Sequence, residues 1–470
     1  MAAPFQYQQL EQTLLQSIHS QRIPAGGRLP SVQALCRQYR LSKATVLHAL
    51  RRLEAQGVIE ARPKSGFYVI WSGPERSPPQ VLSQLMPPAA VTVSDLLLDI
   101  MRRGAAFDVL PAAAHSTETL PGVIELNRAI GRALRRARGD SAQQYDDPEG
   151  LPALREQLAR RLNLRGCHLQ AADLCITAGC QNALFLALMA CCRPGDVVAV
   201  EAPGFYGVLQ LLEQLQLQVV EVPSSPVDGL NMDALEQVLQ RWPVTACVVS
   251  PAFSTPAGAR MPAHSRQRLL ALAGQYDLTL IEDDIYADTA LLDPPDPLKA
   301  HDPDGRVILC SSFSKILSRD LRLGWIAGGR WHRQIVQLKL VTQLATGRAV
   351  QQGLADFLAD GSYQAHLRRQ HYRLHEQKAQ LLSALSEWPL PVNVSQPQGG
   401  LTLWVELPAS IDTQVLYNQA LRHGIVIMPG RLFTTTGQFG SCLRISFAHP
   451  WTPERRKALQ QIGQLAATLR

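Results

Sequence analysis

The sequence predicts an α/β chain in two parts: a small N-terminal unit of three helices and a hairpin, then a large unit with a mainly parallel sheet that ends in a smaller α+β portion. Three observations carry this. Apolar residues recur at spacings of three and four in the first 55 positions and then alternate around a turn. A proline-rich stretch interrupts the periodicity at residues 72–90. Beyond it, short apolar runs alternate with helical segments, as a sheet covered by helices requires.

In the N-terminal unit, Tyr7, Leu10, Leu14 and Ile18 mark one apolar face. Val32, Leu35, Cys36 and Tyr39 mark a second, and Val46, Leu50 and Leu53 a third. Ser31 and Ser42 stand where helix N-caps belong, and Gly57 where a helix stops. "VIEARPKSGFYVI" then alternates around a Pro-Lys-Ser-Gly turn, a hairpin with a basic tip. Three helices and such a hairpin make a winged helix-turn-helix over residues 1–71.

Charge agrees with that reading. Residues 1–71 hold nine Lys/Arg against three acids, which is +6 of the chain's formal +7. A module that alone meets a polyanion concentrates charge in this way. In a helix-turn-helix the second helix enters the major groove with its N-terminal residues toward base edges. Ser42, Lys43 and Thr45 open that helix, "SKATVLHALRR". Arg28, Arg52 and the wing residue Lys64 are placed to meet phosphates.

Residues 72–90 contain five prolines and read as a linker. From residue 91 on, "DVVAVEAP", "ACVVSPAF", "LTLIEDD", "RVILCSSFSK" and "LGWIAG" read as strands, with helices such as "NMDALEQVLQRW" and "SRQRLLALAGQY" between several of them. "GGLTLWVEL", "GIVIMPG" and "CLRISFAHP" read as strands of the smaller portion, about residues 345–470. Nine scattered cysteines without CxxC spacing point to reduced thiols in a cytoplasm. "MAAPFQYQQLEQ" lacks a signal-peptide pattern, and no run of about 18 apolar residues is present to span a bilayer. A soluble cytoplasmic protein is expected.

Ligands of open α/β sheets gather beyond the carboxyl ends of strands, where Asp283 and Lys315 both fall. Read in order, "TAGCQNAL", "EAPGFYG", "STPAG", "IEDDIY", "SSFSK", "LRLGW" and "LRISF" each have a task in a pyridoxal phosphate site. The aldehyde needs a primary amine to form an imine, or Schiff base, and Lys315 supplies it. The pyridinium nitrogen needs a fixed anion, Asp283, and Tyr286 can bond the ring's phenolic oxygen. Gly179, Cys180 and Gln181 open a helix whose N–H groups suit the phosphate, with Ser312 and Arg322 adding hydroxyl and charge. Phe205 can stack on the ring, and Arg444 can clamp a substrate or effector carboxylate. There is no GxGxxG after a strand and no GxxxxGK[ST]. His371 and His375 stand four apart, but their charged surroundings suggest a solvated helix face, so no metal is expected.

The stretch "AGGRLPSVQALCRQYRLSKATVLHALRRLEAQGVI" resembles the GntR family of bacterial repressors over nearly all of residues 5–70, with Gln33 where that family usually carries an arginine. Residues 95–470 resemble the fold-type I aminotransferases. That resemblance implies Lys315 as the imine lysine, Asp283 and Tyr286 as partners of the ring, Arg322 as a phosphate ligand and Arg444 as the carboxylate clamp. It also implies Tyr145, in "QYDDPEGLPALREQLARRL", reaching the phosphate of a neighbouring subunit. The family's asparagine in its Asn-Pro-x-Gly turn is Thr255 here, a shorter arm toward the phenolic oxygen. From end to end the chain resembles the MocR group of GntR regulators. This implies a homodimer on a double-stranded DNA operator that senses pyridoxal phosphate, an amine or an amino acid. A working aminotransferase with an accessory DNA module is the alternative, and a purely scaffolding cofactor domain is a third.

Overall fold

A computed structural model describes residues 6–19, 23, 26–55, 57–62, 65–70, 78–81, 85–92, 95–103, 109–110, 120–137, 144–291 and 294–470. The chain divides into two compact units, Met1–Ser77 and Pro78–Arg470.

In the first unit the helices are Gln6–His19, Val32–Tyr39 and Lys43–Ala55. Leu10, Leu14, Ile18, Leu35, Val46, Leu50 and Leu53 are buried together, so the three apolar faces meet in one core. Ser31 caps the second helix by accepting from the Ala34 N–H at 3.2 Å. Arg40, at φ 51°, turns the chain out of that helix. Strands Ile59–Arg62 and Gly66–Val69 pair antiparallel, with Ile59 opposite Val69. The wing is therefore present. Its tip residues Pro63 and Lys64 lie outside the described residues.

In the second unit, strand neighbours across the main sheet run Ala89–Ala90, Gln218–Ser225, Val197–Ala202, Val244–Val249, Thr279–Asp283, Val307–Ser312, Gly324–Ala327 and Leu174–Thr177. The second through sixth of these pair parallel. Gly324–Ala327 is antiparallel to both of its neighbours. Val197–Ala202, Thr279–Asp283 and Val307–Ser312 are buried at every residue, which explains their unbroken apolar reading: helices cover both faces. Ala89 and Ala90, expected in the linker, form a short edge strand against Val219 and Gln218. An exposed sheet edge offers unpaired backbone groups to any extended segment that reaches it.

A second, antiparallel sheet is ordered Asn393–Val394, Thr402–Glu406, Cys442–Ser446, Met428–Pro429. "GIVIMPG" contributes only its Met428–Pro429 pair as strand, while Ile425, Val426 and Ile427 are buried without joining it. Among the described residues no helix is long and apolar enough to cross a membrane.

Candidate cofactor site and nucleic-acid surface

Parallel register sets the centre of the site. Cys310 lies beside Asp283, so the turn after Ser312 starts just beyond the strand end that carries Asp283. Lys315 sits in that turn, its Nζ 5.9 Å from the centre of the Tyr286 ring. Burial pushes its pKa down to about 7; the Arg319 and Arg444 charges act in the same direction, and the Asp283 carboxylate acts against it. At neutral pH a large share of this amine is an uncharged nucleophile.

Asp283 is buried, and burial raises its carboxyl to about 6. It accepts from the Cys180 thiol at 3.2 Å and the Ile285 N–H at 3.3 Å. Burial lifts the Tyr286 phenol to about 12, with Arg444 pulling the other way. Arg444, on the strand Cys442–Ser446, is buried, with its guanidinium 5.2 Å from the Phe433 ring centre and 5.7 Å from that of Tyr206. The buried Thr255 hydroxyl lies toward Tyr286 and slightly favours its ionised form, yet it makes no geometrically complete hydrogen bond.

At the other end, Gly179 at φ 88° precedes the helix Cys180–Cys191. A Cβ there would stand 2.7 Å from the Arg322 Nη2. Only glycine permits both this backbone and this approach. Arg322, itself at φ 48°, donates to the Ala178 carbonyl at 3.1 Å, which holds its guanidinium over the helix start. Ser312 is buried and accepts from the Ser314 N–H at 3.3 Å. Gln181 donates to the Gly207 carbonyl at 2.8 Å and so ties this helix to the one that begins after Phe205. Gly207 leaves room for the Phe205 ring, whose Cζ would be 2.4 Å from a Cβ.

The residues fit pyridoxal phosphate: a glycine cradle under an arginine at a helix start, a buried carboxylate, a depressed lysine, and a buried hydroxyl with unused bonding capacity. Lys315, Asp283, Tyr286 and Arg444 act on one another electrostatically, and Gly179 touches Arg322. Tyr145 is 79% exposed, next in sequence to Asp146, which binds Arg348 and Gln351.

Sequence reading misses several groups here. It singles out Cys180 for its backbone N–H, whereas the side chain serves Asp283. In "EDD" strand alternation turns Asp283 away from Glu282 and Asp284. Glu282 accepts from the Leu298 and Lys299 N–H groups, and Asp284 binds Arg165. Asp288 binds Arg161 and Tyr363. His371 bonds the Asp288 carbonyl at 2.7 Å, so it is part of this packing rather than a solvated face. The partners of Cys180, Asp284 and Asp288 lie 75 or more positions away along the chain, and no local pattern announces them.

In the first unit, Ser42 accepts from the Thr45 N–H at 3.1 Å and shares a bond with the Thr45 hydroxyl, capping the helix at its exposed start. Lys43 is exposed beside them, and Arg28 lies along the wing over Gly66. Arg52 is partnered within the unit. Its Nε lies 2.6 Å from the largely buried Glu11 carboxylate, and it stacks 5.6 Å from the Tyr7 ring centre. The guanidinium braces the first helix against the third through its Nε and keeps part of its surface in water.

Comparison with known proteins agrees with both units. Residues 113–462 match the family model for aminotransferase class I and II, and residues 6–69 match that for bacterial regulatory proteins of the gntR family. The uncharacterised HTH-type transcriptional regulators YjiR and YdcR of Escherichia coli (strain K12) are 34% and 36% identical to the chain. The alignments cover 97% and 98% of this chain and 98% of each relative. Among solved structures, LysN from Thermus thermophilus, an α-aminoadipate aminotransferase complexed with N-(5'-phosphopyridoxyl)-L-leucine, is 26% identical with a TM-score of 0.71. That match covers 80% of this chain and 95% of LysN.

Proposed function

The chain belongs to the MocR subgroup of GntR-type transcriptional regulators, with an aminotransferase class I and II domain that binds pyridoxal phosphate, and from that premise we propose that Lys315 is its sensing residue. Pyridoxal phosphate supplies an aldehyde that condenses reversibly with primary amines, so an incoming amino compound competes with the lysine for it. Lys315 binds as a neutral amine, and its release on exchange leaves an amine that can take up a proton beside Arg444 and Asp283. Asp283 fixes the ring nitrogen, Tyr286 and Thr255 hold the phenolic oxygen, and Phe205 stacks on the ring. The phosphate is held by Gly179, Cys180 and Gln181 backbone groups with Ser312 and Arg322. Arg444 receives the effector's carboxylate. The observation that carries this reading is the Lys315 amine, drawn down to about 7 by burial and two arginines while facing a buried carboxylate.

A homodimer in the cytoplasm completes the proposal. Val341 is 84% exposed, with Leu340 and Leu344 also exposed, on the helix and turn that lead to the Asp146–Arg348 pair beside Tyr145. Large apolar side chains in water beside a site residue suit a subunit interface. Such a dimer would let Tyr145 reach its partner's phosphate site and would present two winged helices to paired half-sites.

The donor set, with Thr255 in place of the family's asparagine, also supports the second reading, a working aminotransferase. DNA affinity measured with and without cofactor, across a panel of amino acids, separates the two. The regulator requires affinity to change with ligand, since a ligand shifts only what it binds unequally. Fast turnover with DNA binding indifferent to every amine would decide for the enzyme.

A further inference from the structure

We propose that the outer face of the helix Pro121–Arg136 is a second DNA contact, in which Arg128, Arg132 and Arg135 hold the phosphate backbone of duplex flanking the operator. The helix buries Gly122, Leu126, Ala129 and Ala133 and leaves the three arginines exposed. Spacings of four and three place them along one stripe, spanning roughly 10 Å at the rise of an α-helix. They line an open groove of about 680 Å³ together with Ile124, Asn127 and Gly131.

Among the described residues little acidic charge offsets this face. The helix carries four arginines and one acid, Glu125, which Arg369 reaches at 3.5 Å. Arg136, the fourth arginine, faces Asp356 at 3.8 Å. Among the described residues no carboxylate pairs with Arg128, Arg132 or Arg135. Outside residues 1–71 the chain's formal charge is only +1, so this ridge is a local concentration rather than a share of a basic background. Guanidinium forks match phosphate oxygens in pairs, and duplex DNA is the polyanion that a GntR-type domain brings to this chain. Backbone contacts of this kind add affinity without reading sequence.

The test uses the full chain and the variant R128Q/R132Q/R135Q. A duplex of about 20 base pairs, enough for two half-sites, is selected from a random pool with the wild type and also embedded in one about three times as long. The wild type is expected to bind the long duplex more tightly and with a steeper salt dependence. The variant is expected to lose that advantage, its slope of log affinity against log salt falling by about 2.7 per protomer, while the short duplex is unaffected. The corresponding triple lysine variant should restore most of the slope. Equal binding of wild type and variant to the long duplex would overturn the proposal. So would an equal loss on both lengths, which places the effect in the winged helix or the fold. A change in oligomeric state by light scattering would also overturn it, by making the ridge an interface between copies.

Discussion

The two units treat charge in opposite ways. Among the described residues of the N-terminal unit the ionised groups reach the surface, apart from Glu11, which is buried against Arg52. In the larger unit Lys315, Asp283, Asp284, Glu201, Glu282 and Arg444 sit in the interior or at its edge. Burial raises both Glu201 and Glu282 to about 8, the same effect that moves Asp283 and Lys315. Charge left in water attracts a polyanion at a distance and weakens with salt. Charge taken out of water is destabilised and waits for a counter-group, which a cofactor can supply.

The contrast breaks most severely at Lys315. K315A is expected to abolish covalent capture of pyridoxal phosphate, removing visible absorbance, and to make DNA affinity insensitive to amino compounds while the winged helix still binds. Ligand-sensitive DNA binding in K315A would show that the lysine is not the sensor.

Next comes Asp283. D283N removes an anion from the ring nitrogen and should weaken cofactor binding about 10- to 100-fold, the worth of a charge-assisted hydrogen bond. The cofactor-free protein should move the other way. The carboxyl's folded pKa of about 6 lies above its unfolded value of 3.8, so the folded state keeps its proton longer and stability is lost as pH rises between those values. At pH 7, D283N without cofactor should therefore be more stable by about 1 to 3 kcal/mol. Thermal melts with and without cofactor, at pH 4 and pH 7, check both signs. A loss of stability at pH 7 without cofactor would mean that Asp283 holds the fold together rather than waiting for a ligand.

The smallest effect belongs to the surface-charged unit. R52Q removes the charge that accompanies Glu11 and should cost about 1 kcal/mol in unfolding of the N-terminal unit, since Arg52 keeps part of its surface in water. The salt dependence of DNA affinity should change little, because the guanidinium is engaged internally. A slope reduced by about one would show that Arg52 contacts phosphate as well.

What could be read from the sequence follows the same division. Helical faces such as Leu10, Leu14 and Ile18 repeat within one element, so their core is visible in spacing. Lys315 and Asp283 are visible because each follows or ends an apolar run that only a strand explains. The Arg165–Asp284 pair, the Arg52–Glu11 brace and the Cys180 thiol on Asp283 join elements far apart in the chain, and their geometry exists only after the chain has folded. Arg322 is legible as a phosphate ligand by family resemblance. The left-handed turn that aims it over Gly179 is not, because arginine carries no local preference for that conformation.

We propose above all that Lys315 is the amine that captures the cofactor near neutral pH. Protein incubated with pyridoxal phosphate across a pH series, then reduced with borohydride and digested, should show one modified peptide, the one containing Lys315. Its yield at short times should rise as pH passes through about 7, where the buried amine loses its proton. An unmodified Lys315 peptide, or label spread over other lysines with a midpoint near that of an ordinary lysine, would contradict it.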